Sequence, residues 1–172
     1  MSRLIEVLDY QGHWPAAFEA EKALLQQALG EAGMTIEHIG STSVPGLAAK
    51  PTIDILAEVE SLAALDVRTE HLMALGYIPR GENGISGRRY FCKGSERRTH
   101  HLHVFQSGNG QLISHRAFRD YLIAHPAKAH EYAELKRRAA SACHHNSGTY
   151  VALKADFMTK TLALALDWYV KP

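Results

Sequence analysis

The chain has 172 residues, about the length of one average domain, with 46% hydrophobic and 22% charged residues and a formal net charge of +1. This composition is ordinary for a globular protein with a core of its own. The near-neutral charge argues against a general nucleic-acid binder, whose surface would be strongly basic.

The cysteines and the apolar segments indicate the compartment. Cys92 and Cys143 lie far apart and form no C-x-x-C pair, which favours reduced thiols over a zinc knuckle or a disulfide framework. No segment has the form of a signal peptide or approaches the apolar length needed to cross a bilayer. We therefore expect a cytoplasmic protein with no membrane partner and no nucleic-acid partner.

The first half of the chain alternates predicted strands and helices. The apolar residues 4–8 favour a short first strand. Pro15 suits the first turn of a helix that Gly30 ends. Residues 34–39 predict a strand that runs into the turn-forming GSTSVPG, and residues 52–59 predict a second strand.

The second half becomes increasingly helical. A helix is expected up to about Leu75, and strands are expected at residues 88–93 and 99–105, on either side of the turn GSERR. From about Ser114 the pattern is helical, with Pro126 at a helix–helix junction and a break at residues 146–148. The chain is therefore predicted to be one α/β (α+β) domain over residues 1–172. We expect a mixed β-sheet flanked by helices, with a helical C-terminal third.

The segment HIGSTSVPGLAAKPTIDI, residues 38–55, is the most informative stretch. Backbone N–H groups exposed after a strand can hold an anion, and Gly40 allows a phosphate to approach closely. Ser41 and Thr42 add hydroxyl donors, Lys50 adds positive charge, and Asp54 can hold a divalent metal against phosphates. The alternative is a tight structural turn with a buried aspartate that accepts backbone hydrogen bonds.

This segment resembles the signature of the GrpB-like family. The stretches GISGRRYF at 84–91, THHLHV at 99–104 and FRDYLIAHP at 118–126 resemble the same family, and the resemblance covers nearly the whole chain. It implies a fold similar to that of the nucleotidyltransferase superfamily. On that resemblance, Gly40 and Ser41 match the phosphate-binding turn, and Asp54 matches the first metal-binding acid.

The second acid of the superfamily pattern is missing. Alternate residues of a strand point the same way and lie roughly 6.6 Å apart. Two positions after Asp54, where the second acid is expected, the chain has Leu56, which cannot ligate a metal. Glu58 faces the same side but lies roughly 13 Å along the strand from Asp54. Nucleotidyl transfer by the usual pair of metal ions is therefore in doubt.

Two histidines offer a different metal site. His101 and His103 alternate on one face of their strand. If that strand lies beside the strand of Asp54, the three side chains match a two-histidine, one-carboxylate site, which favours a transition metal such as zinc over magnesium. The alternative is that these histidines form hydrogen bonds with neighbouring strands or donate to an anion.

Further basic residues could contact a phosphate. Arg88 and Arg89 alternate in direction, so at most one of them enters a pocket floored by the sheet. We expect Arg88 among the phosphate-binding residues, although a solvated hairpin is the simpler alternative. Tyr150 and Lys154 lie four positions apart on one helical face, where they could reach a nucleotide or pack against the sheet.

Three functions follow from these residues. The first is nucleotidyl transfer to an unknown acceptor with Mg²⁺ or Mn²⁺ on Asp54, while Lys50 or Arg88 offsets developing charge. The second is a nucleotide- or phosphate-binding domain that has lost catalysis. The third is a metal-dependent hydrolase or lyase that uses Asp54, His101 and His103. In each case the expected partner is a nucleotide or another phosphate-bearing small molecule.

Overall fold

A five-stranded sheet forms the centre of the computed structural model, which describes residues 5–170. The strands are β1 (Gly33–Ile39), β2 (Ile53–Val59), β3 (Tyr77–Pro79), β4 (Arg88–Lys93) and β5 (His100–Gln106). Their order across the sheet is β1-β2-β5-β4-β3. The central pair β2 and β5 is parallel, and the other neighbouring pairs are antiparallel. The mixed sheet predicted from the sequence is confirmed.

Three helices lie between or before the strands, and three follow them. The first set is α1 (Trp14–Leu29), α2 (Leu62–Asp66) and α3 (Thr69–Ala74); the second is α4 (Gly110–Ala124), α5 (Pro126–Ala142) and α6 (Ser147–Tyr169). The second set makes the C-terminal third helical, as expected. Within residues 5–170, no helix combines the length and apolarity that a membrane span requires.

The helix ends follow their local sequence. Pro15 lies in the first turn of α1, and the backbone turns at Gly30, whose φ is +55°, directly after the last residue of that helix. The side chain of Asn109 accepts a hydrogen bond from Gln111 N at the start of α4. Asn146 caps α6 in the same way, accepting from Thr149 N. The predicted break at residues 146–148 is therefore the start of the last helix.

The alternation of β2 assigns the two faces of the sheet. Ile53, Ile55, Ala57 and Val59 are buried in one cluster with the aromatic side chains of α1. Leu56 points to the opposite face, where Leu112 of α4 covers it. Asp54 lies on that second face, so it is directed toward the C-terminal helices rather than toward α1.

Three sequence predictions of local structure were wrong. Residues 5–8 form no strand: Leu8 and Ala49 pair through one isolated bridge, while Leu4 lies outside the described residues. The helix expected up to Leu75 is interrupted between α2 and α3, where the Thr69 hydroxyl donates to the Asp66 carbonyl. Strand β3 was missed because three residues are too few to show an alternating pattern.

Candidate functional site

A cavity of about 450 Å³ lies between the second face of the sheet and helices α4–α6. Asp54, His101 and His103 form what we call the sheet wall. Tyr132 of α5 and Tyr150 and Lys154 of α6 form the helix wall. The residues from Ile39 to Thr42 and Lys50 close one side. A cavity of this volume is within the range that small-molecule ligands occupy.

The turn after β1 approaches the sheet wall closely. Gly40 has a φ of +72°, which L side chains rarely adopt. A Cβ atom at this position would lie 2.7 Å from Asp54 Oδ2. A single 3₁₀ turn, Ser41–Ser43, follows, and its Ser43 N donates to the Gly40 carbonyl. Glycine is therefore required here both for the backbone conformation and for the contact with the carboxylate.

The hydroxyls of Ser41 and Thr42 in this turn already have protein partners. Thr42 is buried, and its Oγ1 lies 2.8 Å from His38 Nε2. Ser41 shares a hydrogen bond with the Tyr132 hydroxyl. Burial of Tyr132 raises its pKa to about 12 although that hydrogen bond opposes the increase. The turn is thus connected to Tyr132 of the helix wall, and Ser41 and Thr42 both line the cavity.

The sheet wall is a compact group of hydrogen bonds centred on one carboxylate oxygen. Asp54 pairs with His101 and Leu56 pairs with His103 across the parallel strands β2 and β5. Asp54 Oδ1 lies 3.2 Å from His101 Nδ1 and 3.4 Å from His103 Nε2. Asp54, His101 and His103 therefore lie together, as the alternation of THHLHV allowed if the two strands were neighbours.

The charge state of Asp54 follows from these contacts. Burial alone would raise the pKa of its carboxyl group. Hydrogen bonds from His101 and His103 more than offset burial and hold the pKa well below its usual range. Asp54 is therefore a carboxylate at every physiological pH.

Arg88 determines which nitrogen of His103 carries the proton. A guanidinium group only donates hydrogen bonds, and Arg88 NH1 lies 3.3 Å from His103 Nδ1. His103 Nδ1 therefore accepts, and His103 Nε2 carries the hydrogen that points to Asp54. Arg88 is itself held by the Glu82 and Asn83 carbonyl oxygens and does not line the cavity.

This arrangement does not fit the transition-metal site that the sequence offered. A metal ligand needs a free lone pair, whereas His103 Nε2 is a donor and its Nδ1 already accepts from Arg88. Across residues 5–170, no three histidine, cysteine, aspartate or glutamate side chains are grouped so that they could hold a metal ion. The histidines therefore match the alternative of hydrogen bonding on the sheet.

The missing second acid is not supplied from elsewhere. Leu56 is fully buried against Ile39, Phe105 and Leu112. Glu58 accepts from Arg116 NH2 at 2.8 Å and does not line the cavity. Of the described residues that line the cavity, Asp54 alone carries a carboxylate.

Lysines dominate the opposite side of the cavity. Lys154 Nζ lies 4.7 Å from the centre of the Tyr150 ring, and Lys50 Nζ lies 5.0 Å from the same ring. Burial lowers the pKa of Lys154, and Asp54 opposes that decrease. Behind Tyr132, the buried Lys136 places its Nζ 4.4 Å from the centre of the Tyr132 ring. Two lysines thus line a space that contains one carboxylate, and a third lies behind the Tyr132 ring.

His115 of α4 adds a neutral ring. Burial lowers its pKa to about 4, with the neighbouring His103 acting in the same direction. Its Nε2 is buried without a hydrogen-bond partner. This nitrogen is available to a ligand as a neutral group rather than as a cation.

The structure brings most of the predicted residues together. Five of the predicted residues line the cavity beside His101 and His103, namely Gly40, Ser41, Thr42, Lys50 and Asp54. Arg88 is the exception, since it lies behind His103. Sequence reasoning missed Tyr132, Lys136 and His115, although a signal was present: Tyr132 and Lys136 repeat the spacing of Tyr150 and Lys154, four positions apart.

Two groups of known proteins show partial likeness. The Mycolicibacterium paratuberculosis protein named dephospho-CoA kinase is 30% identical over 90% of this chain, which covers 44% of that protein. The Cid1 poly(U) polymerase bound to MgGTP has a TM-score of 0.45 at 12% identity, over 76% of this chain and 45% of that one. Structural likeness at this level is weak and identifies no activity.

The remaining similarities extend along nearly the whole chain. YqkA of Bacillus subtilis is 43% identical over 96% of this chain, which spans 48% of YqkA. The glutamate-rich protein GrpB of Alkalihalophilus pseudofirmus is 34% identical, with 91% of this chain and 92% of that protein covered. The crystal structure of GrpB from Enterococcus faecalis has a TM-score of 0.92 at 44% identity, covering 96% of this chain and all of that one. The family model for the GrpB protein matches residues 4–163. The chain therefore belongs to the GrpB family.

Proposed function

We propose that the cavity binds a phosphate-bearing small molecule, with a nucleotide as the first candidate. The observation that carries the proposal is the charge of the cavity. Lys50 and Lys154 line it, while Asp54 is the one carboxylate among the described lining residues. Two half-buried ammonium groups that line one cavity with a single carboxylate favour an anionic ligand.

The turn at Gly40–Thr42 supports a phosphate at this end of the cavity. Glycine lets the ligand come close to the backbone, and the serine and threonine hydroxyls lie at the surface of the same space. The lysine ammonium groups of Lys50 and Lys154 supply compact positive charges that suit phosphoryl oxygens. Lys50 was expected in this role from the sequence, and Lys154 now joins it.

Part of the cavity lining suits an organic group. Phe118 of α4 and Met158 and Leu162 of α6 contribute apolar surface to it. Aromatic and thioether side chains pack well against the flat face of a base or another ring. A ligand that combines a charged phosphate with an apolar ring therefore matches the residues of the cavity. The name dephospho-CoA kinase, carried by a relative, also supports a phosphate-bearing ligand.

Nucleotidyl transfer is a second candidate, favoured by the position of Asp54. This ionised carboxylate lies beside the Gly40–Thr42 turn, where ligand phosphates would be. Magnesium in such sites is commonly held by one or two carboxylates together with the phosphates of the ligand. Asp54 is the residue that would hold it, and the ion would offset phosphate charge. The absence of a second acid at Leu56 makes ligand binding without transfer the better-supported function.

The proposal is tested by thermal unfolding in the presence of ATP, CTP, GTP, UTP, pyrophosphate and phosphate, each with Mg²⁺ and with EDTA. A ligand at 100 times its Kd stabilises a protein by about 2.7 kcal/mol, which is roughly a 5–10 °C rise in Tm for a chain of this size. We expect at least one nucleotide to produce this rise. The proposed function is wrong if none of these compounds changes the Tm.

A matched pair of variants locates the site. Lys154→Met removes a lysine of the helix wall, and we expect the affinity to fall about 10- to 100-fold, the usual cost of a hydrogen bond to a charged group. Lys160→Met makes the same change on the same helix, at a side chain that is 75% exposed and paired with Asp156. Equal affinities for the two variants would place the ligand elsewhere.

The same assay separates the two candidates. Release of pyrophosphate from a nucleoside triphosphate that requires Mg²⁺, and that Asp54→Asn abolishes, would establish nucleotidyl transfer. Binding that is equally tight in EDTA, with no pyrophosphate released, would establish a binding domain. The measurement compares the wild type and Asp54→Asn at one nucleotide concentration.

A further inference from the structure

Lys136 is a buried lysine without a partner. It lies on α5, is 2% exposed, and its Nζ has no hydrogen-bond partner within residues 5–170. The contact of its Nζ with the face of the Tyr132 ring, 4.4 Å from the ring centre, is the interaction that holds it. A charged amine in such a place is costly because no carboxylate of the described residues compensates for the loss of hydration.

The charges around Lys136 disfavour its protonation further. Burial is the largest cause, and the cations Lys154, Lys50 and Arg137 act in the same direction, while Asp54 acts against them. Together they lower the pKa of Lys136 to about 6. The amine is therefore mostly neutral in the ligand-free protein at neutral pH.

A second unpartnered group lies on the same side of the cavity. Tyr150 lines the cavity and is 1% exposed, and its hydroxyl oxygen is buried without a hydrogen-bond partner. The Nζ atoms of Lys50 and Lys154 both lie over its ring. Buried polar groups in folded proteins are nearly always paired, so the unpaired Tyr150 hydroxyl in the cavity lining indicates a ligand. The unpaired amine of Lys136 lies against Tyr132 of the same wall.

We propose that the helix wall binds a phosphoryl group with at least two negative charges without a metal ion, and that this binding adds a proton to Lys136. This inference rests on the proposed function, because it assumes that the cavity takes a phosphate-bearing ligand. A dianion placed between Lys50 and Lys154 reverses the sign of the potential at Lys136 through a medium of low dielectric constant. The proton comes from the solvent, so ligand binding and proton uptake are coupled.

The experiment is isothermal titration calorimetry with inorganic pyrophosphate in EDTA. Titrations at pH 7.5 in two buffers of different ionisation enthalpy give the number of protons taken up. We expect the wild type to take up about 0.5–1 proton more than Lys136→Met does with the same probe. Lys160→Met is the matched control, and it should take up as many protons as the wild type.

The pH dependence of the wild type gives an independent measurement. Uptake of one proton makes the affinity fall by up to about tenfold for each unit of pH increase, by linkage, between pH 7 and pH 9. His115 does not contribute in this range because burial holds its pKa at about 4. The titration of free pyrophosphate itself is subtracted before the fall is assigned to the protein, and the result does not require any variant to fold.

The outcomes separate the inference from the proposed function. Pyrophosphate binding in EDTA with equal proton uptake by the wild type and Lys136→Met would overturn the inference and leave the proposed function intact. Binding that needs Mg²⁺ would overturn the metal-free part. If neither pyrophosphate nor any nucleotide binds, the proposed function fails and the inference fails with it.

Discussion

The two faces of the sheet each bury a charged cluster, and the clusters differ in how completely they are paired. On the α1 face, the carboxylate of Glu21 accepts from Tyr77 at 2.8 Å and from Lys93 at 3.0 Å, and it lies 3.6 Å from His100 Nε2. On the cavity face, Lys136 and Tyr150 have buried polar atoms with no partner.

This difference indicates that the Glu21 cluster stabilises the fold, whereas the cluster on the cavity face fits the proposed ligand binding. The Glu21 cluster satisfies its own donors and acceptors, so it needs nothing from outside and can only stabilise the fold. The helix wall leaves buried donors unsatisfied, which lowers the stability of the ligand-free protein. Proteins retain such unsatisfied donors where a ligand later supplies the acceptor. The sheet wall is intermediate in this respect: Asp54, His103 and Arg88 form a continuous chain of hydrogen bonds, whereas His101 Nε2 is buried without a hydrogen-bond partner among the described residues.

The largest effect is expected at the paired cluster. Glu21→Ala removes the acceptor of Tyr77 and Lys93, and we expect a loss of about 3–5 kcal/mol in the free energy of unfolding, as when a buried ion pair is broken. Urea denaturation measures the loss. Glu19→Ala, an exposed position on the same helix, should change the stability by less than about 0.5 kcal/mol. A small effect of Glu21→Ala would contradict the view that this cluster is structural.

Replacing Lys136 on the cavity face should raise the free energy of unfolding rather than lower it. Lys136→Met replaces a buried amine by an apolar side chain of similar length, and we expect a gain of about 1–4 kcal/mol in ligand-free protein. The unfolded lysine binds a proton up to its ordinary pKa near 10.5 and the folded one only below about 6. The gain should therefore be largest below pH 6 and should decrease as the pH rises toward 10. Urea denaturation at pH 6 and pH 9 tests this, and destabilisation at both would show that Lys136 has a partner.

Replacing Arg88 tests the chain of hydrogen bonds that links it through His103 to Asp54. Arg88→Met leaves the Glu82 and Asn83 carbonyl oxygens without their donor, and the expected loss is about 1–3 kcal/mol. The hydrogen of His103 should also cease to be fixed on Nε2, which the ¹⁵N chemical shifts of the imidazole report. Arg89→Met is the matched control, because Arg89 pairs with the half-exposed Asp66. Unchanged His103 shifts in Arg88→Met would contradict the assignment.

The smallest expected effect concerns acid stability. His115 stays neutral in the folded protein down to about pH 4, while an unfolded histidine takes up a proton near pH 6.5. The unfolded state therefore binds more protons between these values, and stability falls as the pH drops from about 6.5 to 4. His115→Phe should reduce this loss by on the order of 1–2 kcal/mol. His130→Phe, at an exposed position of α5, should leave the pH profile of unfolding unchanged.

The sheet wall was predictable from the sequence because strands have a simple period. Alternation alone places Asp54 opposite the core face of β2 and puts His101 and His103 on one face of β5. Their meeting needed one further condition, the adjacency of β2 and β5, which the structure confirms. The central part of the fold was predictable for the same reason.

The helix wall was not predictable in the same way. The position of α5 over the cavity depends on packing among three helices and the loop before β2, where Tyr132 joins Val44 and Leu47 in one cluster. No local pattern encodes that placement. Burial of Lys136 also contradicts the rule that lysines remain exposed, so only the repeated tyrosine–lysine spacing pointed to it. The hydrogen bond from Arg88 to His103 likewise depends on the path of the loop before β4.

The parallel pairing of β2 with β5 has a consequence for the order in which the protein assembles. Parallel strands need a long crossover, and the contact between Asp54 and His103 joins residues 49 positions apart. The chain loses conformational entropy when so long a loop closes, before the contact contributes any stabilisation. Such non-local pairings therefore slow folding. During synthesis, α1 and the β1–β2 hairpin can form early, whereas the cavity cannot exist until β5 has docked and α6 has been made. The ligand site is thus among the last parts of the molecule to form, and a ligand that binds it selects chains that have completed their fold.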